Sequence, residues 1–317
     1  MSLDCLCAGL LVADHLCAPL ARLPKAGELL VSDRLVLNIG GNASNTAMDL
    51  TKLGIEAGVI GCVGQDIFGR FVCETLDAQH IRTDGVRRLP QVETAGTLIV
   101  NVAGEDRRFI HAVGANAEFT AEMISKELVR QAKVFYLGGY LLMPKLDPSA
   151  LADLFRDAKE HGVITVLDVV ISGPGDHWSK LAPLLPLTDH FLPNRDEAEL
   201  ITGLADPWEQ AARFREAGAK TVVITSGGEG SILWNQGQKL QAAAYQMEVA
   251  DGSGAGDAFD AGYIAGLLQG LEPAECLRWG SALGASCVRA IGTTAGVFTR
   301  PEAVEFLKTH PLTITSR

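Results

Sequence analysis

The sequence predicts an α/β protein with a doubly wound, mostly parallel sheet flanked by helices and topped by a small β-sheet lid. Three observations predict it. From about residue 122 to 230, short β-rich apolar runs alternate with helical stretches, as in a parallel sheet covered on both faces. Near the C-terminus, the glycine-rich turn Asp251–Gly256 opens into a helix that is apolar nearly all round, and such a helix is buried. Two pairs of strand-like runs, at about 15–37 and 97–112, have no helix between their members. Antiparallel insertions in a βαβ chain are where a lid is expected.

Composition narrows the function. The chain has 317 residues, enough for one large α/β domain, and its net charge of −11 argues against a nucleic-acid partner, which needs a basic patch. Seven cysteines, an odd number without a C-x-x-C pair, fit a reduced cytoplasmic protein and make a zinc site unexpected. Cys5 and Cys7 alternate along one run and should share a core face. No signal-peptide pattern precedes the first strand, and no apolar run reaches the roughly 18 residues of a membrane span. A cytoplasmic protein without a membrane partner is expected.

In chain order, Leu3–Val12 reads as a central strand with Asp14 just past its carboxyl end. Ligands of open α/β sheets sit beyond those ends. Asp14 is therefore either a bidentate acceptor for sugar hydroxyls or a turn residue. His15–Leu20 and Glu28–Leu37 form the first strand pair, split by Pro24 and Gly27. At Asn38–Gly54, Gly40 and Gly41 allow close backbone approach. Asn42 or Ser44 is placed to cap a helix over about Ala43–Leu53, ended by Gly54. Asn42 and Asn45 can each donate and accept, which suits a polyol. Ala57–Gly69 reads strand–turn–helix, but its glycines match a dinucleotide fingerprint poorly, which disfavours a Rossmann dehydrogenase. Thr97–Val102 and Arg107–Ala112 form the second pair.

Strands are then expected at Val134–Leu137, Val163–Val169, His190–Leu192, Thr221–Thr225 and Gly230–Trp234. Helices are expected at about Ala121–Gln131, Pro148–His161, His177–Leu185, Asp196–Thr202, Pro207–Ala217, Pro273–Ala290 and Pro301–Thr309. Pro193–Glu197 ends a strand, with Asn194 a natural helix cap.

The turn DGSGAGD carries the chemistry. A helix N-terminus presents unpaired N–H groups and favours anions. Asp257 lies in its first turn, where the dipole keeps a carboxylate ionised. A lone aspartate there is usually a cap. With Asp251, Ser253 and Asp260 nearby, the combination instead suits phosphoryl transfer: the carboxylate takes a hydroxyl proton, and the N–H groups hold the transferring oxygens. Gly262 and Gly266, four apart, give the helix a face that another element can approach.

This stretch resembles the second signature of the ribokinase-like (PfkB) carbohydrate kinases, D-T-x-G-A-G-D-x-F, with Gly252 where threonine is commonest and Ser253 at the free position. The resemblance implies that Asp257 is the catalytic base and that Gly254, Ala255 and Gly256 form the anion hole. Asn38–Asn45 resembles the first signature, which implies acceptor contacts from Asp14, Gly40, Gly41, Asn42 and Asn45. PNRDE is similar to the family's P-N-x-x-E, implying that Asn194 and Glu197 serve phosphate and Mg2+, the ion held through water. V-G-x-D-x-x-G is usual in the family, so Asp66 is structural. By the same resemblance Thr225, Gly227 and Gly230 meet nucleotide phosphates and Ser281 lies near the adenine. Asp251, Ser253 and Gly292 hold a monovalent cation such as K+.

The implied whole is one ribokinase-like kinase domain over 1–317 with a lid from the two insertions. Its implied activity is ATP-dependent transfer of the γ-phosphoryl group to a hydroxymethyl group of a sugar or sugar-like acceptor. A nucleoside kinase of the same fold and a non-catalytic sugar- or nucleotide-binding protein are the alternatives. Ribokinases proper tend to carry a carboxylate in the loop matching Leu137–Pro144, and this loop has none. The four lid runs are too few and too polar for a core of their own. A homodimer paired through Leu16, Leu20, Leu30, Val36, Leu98, Val100 and Phe109 is therefore expected.

Overall fold

A computed structural model describes residues 3–105 and 108–317. The chain opens with β1 (Leu3–Gly9), β2 (Val12–Cys17), β3 (Leu35–Gly40), α1 (Asn42–Lys52), β4 (Ala57–Gly64), α2 (Ile67–Ala78), β5 (Arg82–Leu89), β6 (Gly96–Val100) and β7 (Arg108–Ala112). The middle third holds α3 (Lys126–Arg130), β8 (Ala132–Gly138), α4 (Pro148–Glu160), β9 (Ile164–Leu167), α5 (Trp178–Leu181), β10 (His190–Phe191), α6 (Arg195–Thr202) and α7 (Pro207–Glu216). It ends with β11 (Thr221–Thr225), β12 (Ser231–Trp234), β13 (Lys239–Ala242), α8 (Ala255–Leu268), α9 (Pro273–Cys287), α10 (Arg300–Thr309) and β14 (Ile314–Ser316).

Ten strands form one sheet in the order β14-β13-β12-β11-β10-β9-β8-β1-β4-β5. Pairing is parallel from β5 to β11 and antiparallel from β11 to β14. Two apolar cores cover its faces. One packs beneath α3, α4, α6 and α7 and includes Phe135, Phe155 and Phe214. The other packs beneath α1, α2, α8 and α9 and includes Cys5, Cys7, Tyr136 and Phe259. All seven cysteines are buried and unpaired by disulfides. On α8, the face bearing Gly262 meets α9 so closely that a Cβ there would lie 2.4 Å from the Trp279 carbonyl oxygen.

The predicted first strand is broken. The chain leaves the large sheet after Gly9 and enters a second sheet at Val12. Asn116 makes the crossing possible: its amide accepts from Leu11 N (3.2 Å) and donates to Leu11 O (3.0 Å), satisfying backbone groups that neither sheet pairs. The second sheet runs β3-β2-β6-β7, with β2–β6 parallel and the outer pairs antiparallel. The run Glu28–Leu37 becomes strand only from Leu35, and Arg107, the expected start of the last run, lies outside the described residues. Two predicted helices are also shorter. Ala121–Gln131 is a 3-10 turn followed by α3, and His177–Leu185 yields only α5.

One face of the small sheet turns inward, with Asp14, Thr97, Ile99 and Phe109 lining a cavity above α8. The opposite face exposes Leu35, Leu98 and Ile110. Leu16, offered above as a dimer contact, faces inward and is buried.

Candidate active site

Gly254 ends the turn before α8 with φ +79°, a backbone that favours glycine, and a Cβ there would sit 2.2 Å from the Thr293 carbonyl oxygen. No side chain caps α8. Asp257, at the third helical position, does not cap either. Its Oδ1 accepts from Asn42 Nδ2 and its Oδ2 from Asn45 Nδ2, both at 2.8 Å. The carboxylate is thus aimed into the cavity and held by two amides. Burial pushes its pKa up to about 6, partly opposed by those two hydrogen bonds.

Both amides come from the first turn of α1. Gly41, at φ +93°, starts the helix without a side-chain cap. The expected caps do other work. Ser44 Oγ donates to the carbonyls of Gly40 and Gly41, and Asn42 turns to the acidic groups. Asn45 is 2% exposed and both its ends are occupied, since its Oδ1 accepts from Thr293 Oγ1 at 2.9 Å. It therefore stands behind Asp257 and leaves no group facing the cavity.

Asp14 projects from β2 opposite Gly40, where a Cβ would lie 2.0 Å from Asp14 Oδ2. The glycine makes room for the carboxylate. Burial raises the Asp14 pKa to about 6; a hydrogen bond from Thr97 opposes this and the Asp257 charge adds to it.

The structure adds a carboxylate that the sequence reading passed over. Asp168 follows β9 and lines the same cavity. Its Oδ2 accepts from Asn42 Nδ2 (2.9 Å), Gly139 N (3.3 Å) and Tyr136 Oη (3.4 Å). Tyr136 Oη also donates to Asp260 Oδ2 at 2.9 Å. Asn42 therefore bridges Asp257 and Asp168 with its two amide protons, and the single Tyr136 proton is shared unequally, closer to Asp260 than to Asp168. Burial first, then the neighbouring carboxylates, hold Asp168 and Asp260 well above the usual carboxylate range.

Asn194 and Glu197 form a reciprocal cap at the start of α6, Asn194 Oδ1 accepting from Glu197 N (2.9 Å) and Glu197 Oε2 from Asn194 N (3.0 Å). Both nevertheless line the acidic cavity, and burial raises the Glu197 pKa to about 8. Asp66 caps α2 through Gly69 N (2.7 Å) and bonds Thr94, with no part in the cavity.

The acidic cavity, about 290 Å3, adjoins a second of about 390 Å3. Thr225, Gly252, Ala255 and Gly256 line both. The second is walled by Gly227, Gly230, Met247, Phe259, Ser281 and Ala285, among others, and carries no carboxylate. Asp251 lies beside the junction. Its two oxygens accept from Ser253 N (2.9 Å) and Gly292 N (3.0 Å), bringing the three proposed cation residues together. Among the described residues, no three His, Cys, Asp or Glu side chains converge into a metal cage. A Mg2+ ion that keeps most of its waters fits such a donor set.

A helix N-terminus set between an acidic cavity and a largely apolar one can hold an anion where the two meet. The chain belongs to the pfkB family of carbohydrate kinases, whose model matches residues 3–300. It is 29% identical to the ribokinase of Haemophilus influenzae over 95% of this chain and 97% of that one. To a 5-dehydro-2-deoxygluconokinase of Clostridium botulinum it is 26% identical, over 85% and 84%. The fold superposes on Arabidopsis thaliana ribokinase, solved with ribose and ATP, with a TM-score of 0.83 at 26% identity over 97% and 99% of the chains. Among the described residues no helix is long and apolar enough to cross a membrane.

Proposed function

We propose that this protein is an ATP-dependent kinase that phosphorylates a hydroxymethyl group of a sugar or sugar-like acceptor. One observation carries the reading: Asp257 is held by two asparagine amides at the helix N-terminus where the two cavities meet. The acceptor occupies the acidic cavity, against Asp14 and Asn42, with its hydroxyl toward Asp257. Asp257 takes the hydroxyl proton. The first-turn amides of α8, in the Gly254–Gly256 stretch, stabilise the transferring phosphoryl oxygens. Asn45 acts as the support of the base, a different role from the acceptor contact expected of it. The adenine end of ATP lies toward Ser281 and Ala285, with its phosphates along Thr225, Gly227 and Gly230. Glu197 and Asn194 would hold a Mg2+ ion through its waters, and the ion when bound would neutralise charge on the phosphates. A monovalent cation at Asp251, Ser253 and Gly292 belongs to the same reading.

The names of the relatives support this, as does the Arabidopsis ribokinase with its bound ribose and ATP. ADP release from MgATP, measured against a panel of sugars and nucleosides, tests it. A sugar-dependent rate well above the ATP-only background is expected; no stimulation by any acceptor would refute it. We further propose one kinase domain whose lid comes from the two insertions, and a homodimer that covers Leu35, Leu98 and Ile110. Light scattering that gives the 33.6 kDa of one chain at micromolar concentration would remove the dimer.

A further inference from the structure

The charge of the acceptor can be read from what lines its cavity. Five carboxyl groups face it, those of Asp14, Asp168, Glu197, Asp257 and Asp260, and among the described residues no Lys, Arg or His does. Among the described residues, the basic groups next in sequence to this lining are committed elsewhere, and His15, beside Asp14, packs edge-on against Phe68. Arg195 pairs with Glu229 at 3.1 Å, and Arg108 pairs with Glu105. His111 hydrogen-bonds Thr97 (3.1 Å), and burial lowers its pKa, so it brings no charge at neutral pH. The anion-binding feature of the cavity is the α8 N-terminus, which the kinase reading assigns to the transferring phosphoryl group. A second anion, a sugar phosphate or a sugar carboxylate, is ordinarily held by a guanidinium or ammonium group. Here it would meet carboxyl groups instead, with Asp14 and Asp257 ionised among them.

Hydroxyl groups meet the opposite situation. Carboxylates and amides are the natural partners of a polyol. Ser253 Oγ lines the same cavity, is buried, and has no partner. Asp168 gives the clearest case of a built contact. Donors from α1, β8 and the loop after it hold its Oδ2 in place, so its orientation is set before any ligand arrives. The cavity completes itself with apolar walls, Ile99 and Phe109 from the lid and Val169, Val170 and Leu192 from the sheet ends.

We propose that the acceptor is an uncharged polyhydroxylated molecule, that phosphorylated sugars and sugar acids are refused, and that Asp168 is a specificity-determining residue for this choice. The proposal rests on the kinase reading above. At neutral pH an anionic group would meet the ionised Asp14 and Asp257, whose pKa values lie near 6, while Asp168 selects as a fixed hydrogen-bond partner for a hydroxyl. Refusing the wrong partner is as much a source of specificity as binding the right one.

Matched pairs test it on the full chain with MgATP: D-fructose against D-fructose 6-phosphate, D-ribose against D-ribonate, and D-glucose against D-gluconate. For each pair that supports ADP release, kcat/KM for the neutral member should exceed that of the anionic one by about 100-fold or more. An anionic acceptor within tenfold of its neutral counterpart overturns the proposal. Asp168→Asn should narrow the neutral-to-anionic ratio. Phe109→Arg, on the exposed lid hairpin, adds a cation without touching the core and should raise the relative rate of the anionic member about tenfold. A ratio unmoved by both variants overturns the role given to the acidic lining. If no acceptor of either kind releases ADP, the kinase reading fails, and the proposal with it; that result is distinct from turnover of anions.

Discussion

The two cavities on either side of the α8 N-terminus share four lining residues and almost nothing else. The acceptor side is crowded with carboxyl groups, each oriented by a partner: Asn42 and Asn45 for Asp257, Tyr136 for Asp260, Gly139 and Asn42 for Asp168. The proposed nucleotide side is mostly glycine and apolar side chain, with polar groups such as Thr225, Gln246 and Ser281 and, among the described residues, no carboxylate. The acidic side carries the cost of this arrangement, since burial raises the pKa of Asp14, Glu197, Asp257, Asp168 and Asp260, and neighbouring carboxylates add to the rise for all but Asp257. On the proposed function, a site with so many buried carboxyl groups takes ligands that satisfy them, namely hydroxyl donors and a hydrated cation. On the same proposal, the other side shields a flat, weakly polar group from water.

The largest effect should come from the junction itself. Asp257→Asn removes the proposed base while keeping its size, and kcat should fall by about 10²–10⁴ with little change in either substrate's affinity. Near-normal kcat in this variant would leave the acidic side without its chemical role. The next two substitutions separate the sides. Asp14→Ala should raise the acceptor KM about tenfold or more and leave ATP binding, measured by calorimetry, unchanged. Ala285→Phe should do the reverse. It fills the nucleotide cavity from α9, and the ATP KM should rise about tenfold with the acceptor KM unmoved. If either variant moves both constants equally, the division between the cavities is wrong.

How far the sequence reveals this division depends on how local each feature is. The α8 turn is legible because its glycines and acids lie within seven residues of one another, and the sheet because strands and helices alternate in order. Asp168 was not legible. In sequence it is one residue of a plain strand, Val163–Val169, because its partner Asn42 lies 126 residues away. The rule that drew attention to Asp14, an acid at the carboxyl end of a central strand, would have found it. Asn45 fails in the other direction. An amide near two glycines suits a polyol, but Thr293, 248 residues on, consumes the acceptor end that a sugar would need. Ser44 and Asn42 were credible caps by type, and their neighbours gave them different work. In the lid, hydrophobic residues over Glu28–Leu37 suggested a strand, yet the pairing with β2 begins only at Leu35, leaving Leu29 and Val31 exposed.

The smallest expected effect concerns stability, and it asks whether the acidic side is strained without its ligands. An unfolded Asp257 would titrate near 3.8, whereas in the folded chain burial lifts it to about 6. Between those values the folded protein keeps a proton that the unfolded one has released. Stability therefore falls as pH rises through this window, and the loss is complete above about pH 6. Other carboxylates run the opposite way: Asp189, for instance, sits low because hydrogen bonds and nearby lysines outweigh its burial. The wild-type curve alone thus mixes both signs. The difference between Asp257→Asn and wild type isolates one of them. Asparagine cannot ionise, so ligand-free Asp257→Asn should gain on wild type as pH rises from 4 to 6 and keep the gain above it. The asparagine does lose one of the two amide contacts, since its own NH2 faces an NH2 donor. That loss is independent of pH and shifts the difference without tilting it. An advantage growing by about 2–5 °C in Tm between pH 4 and 7 is expected, and Mg2+ with acceptor should shrink it by binding the charged wild type preferentially. A difference in Tm that stays flat across this range would mean that Asp257 ionises in the folded chain without penalty, and the contrast between the two cavities would then be one of composition alone.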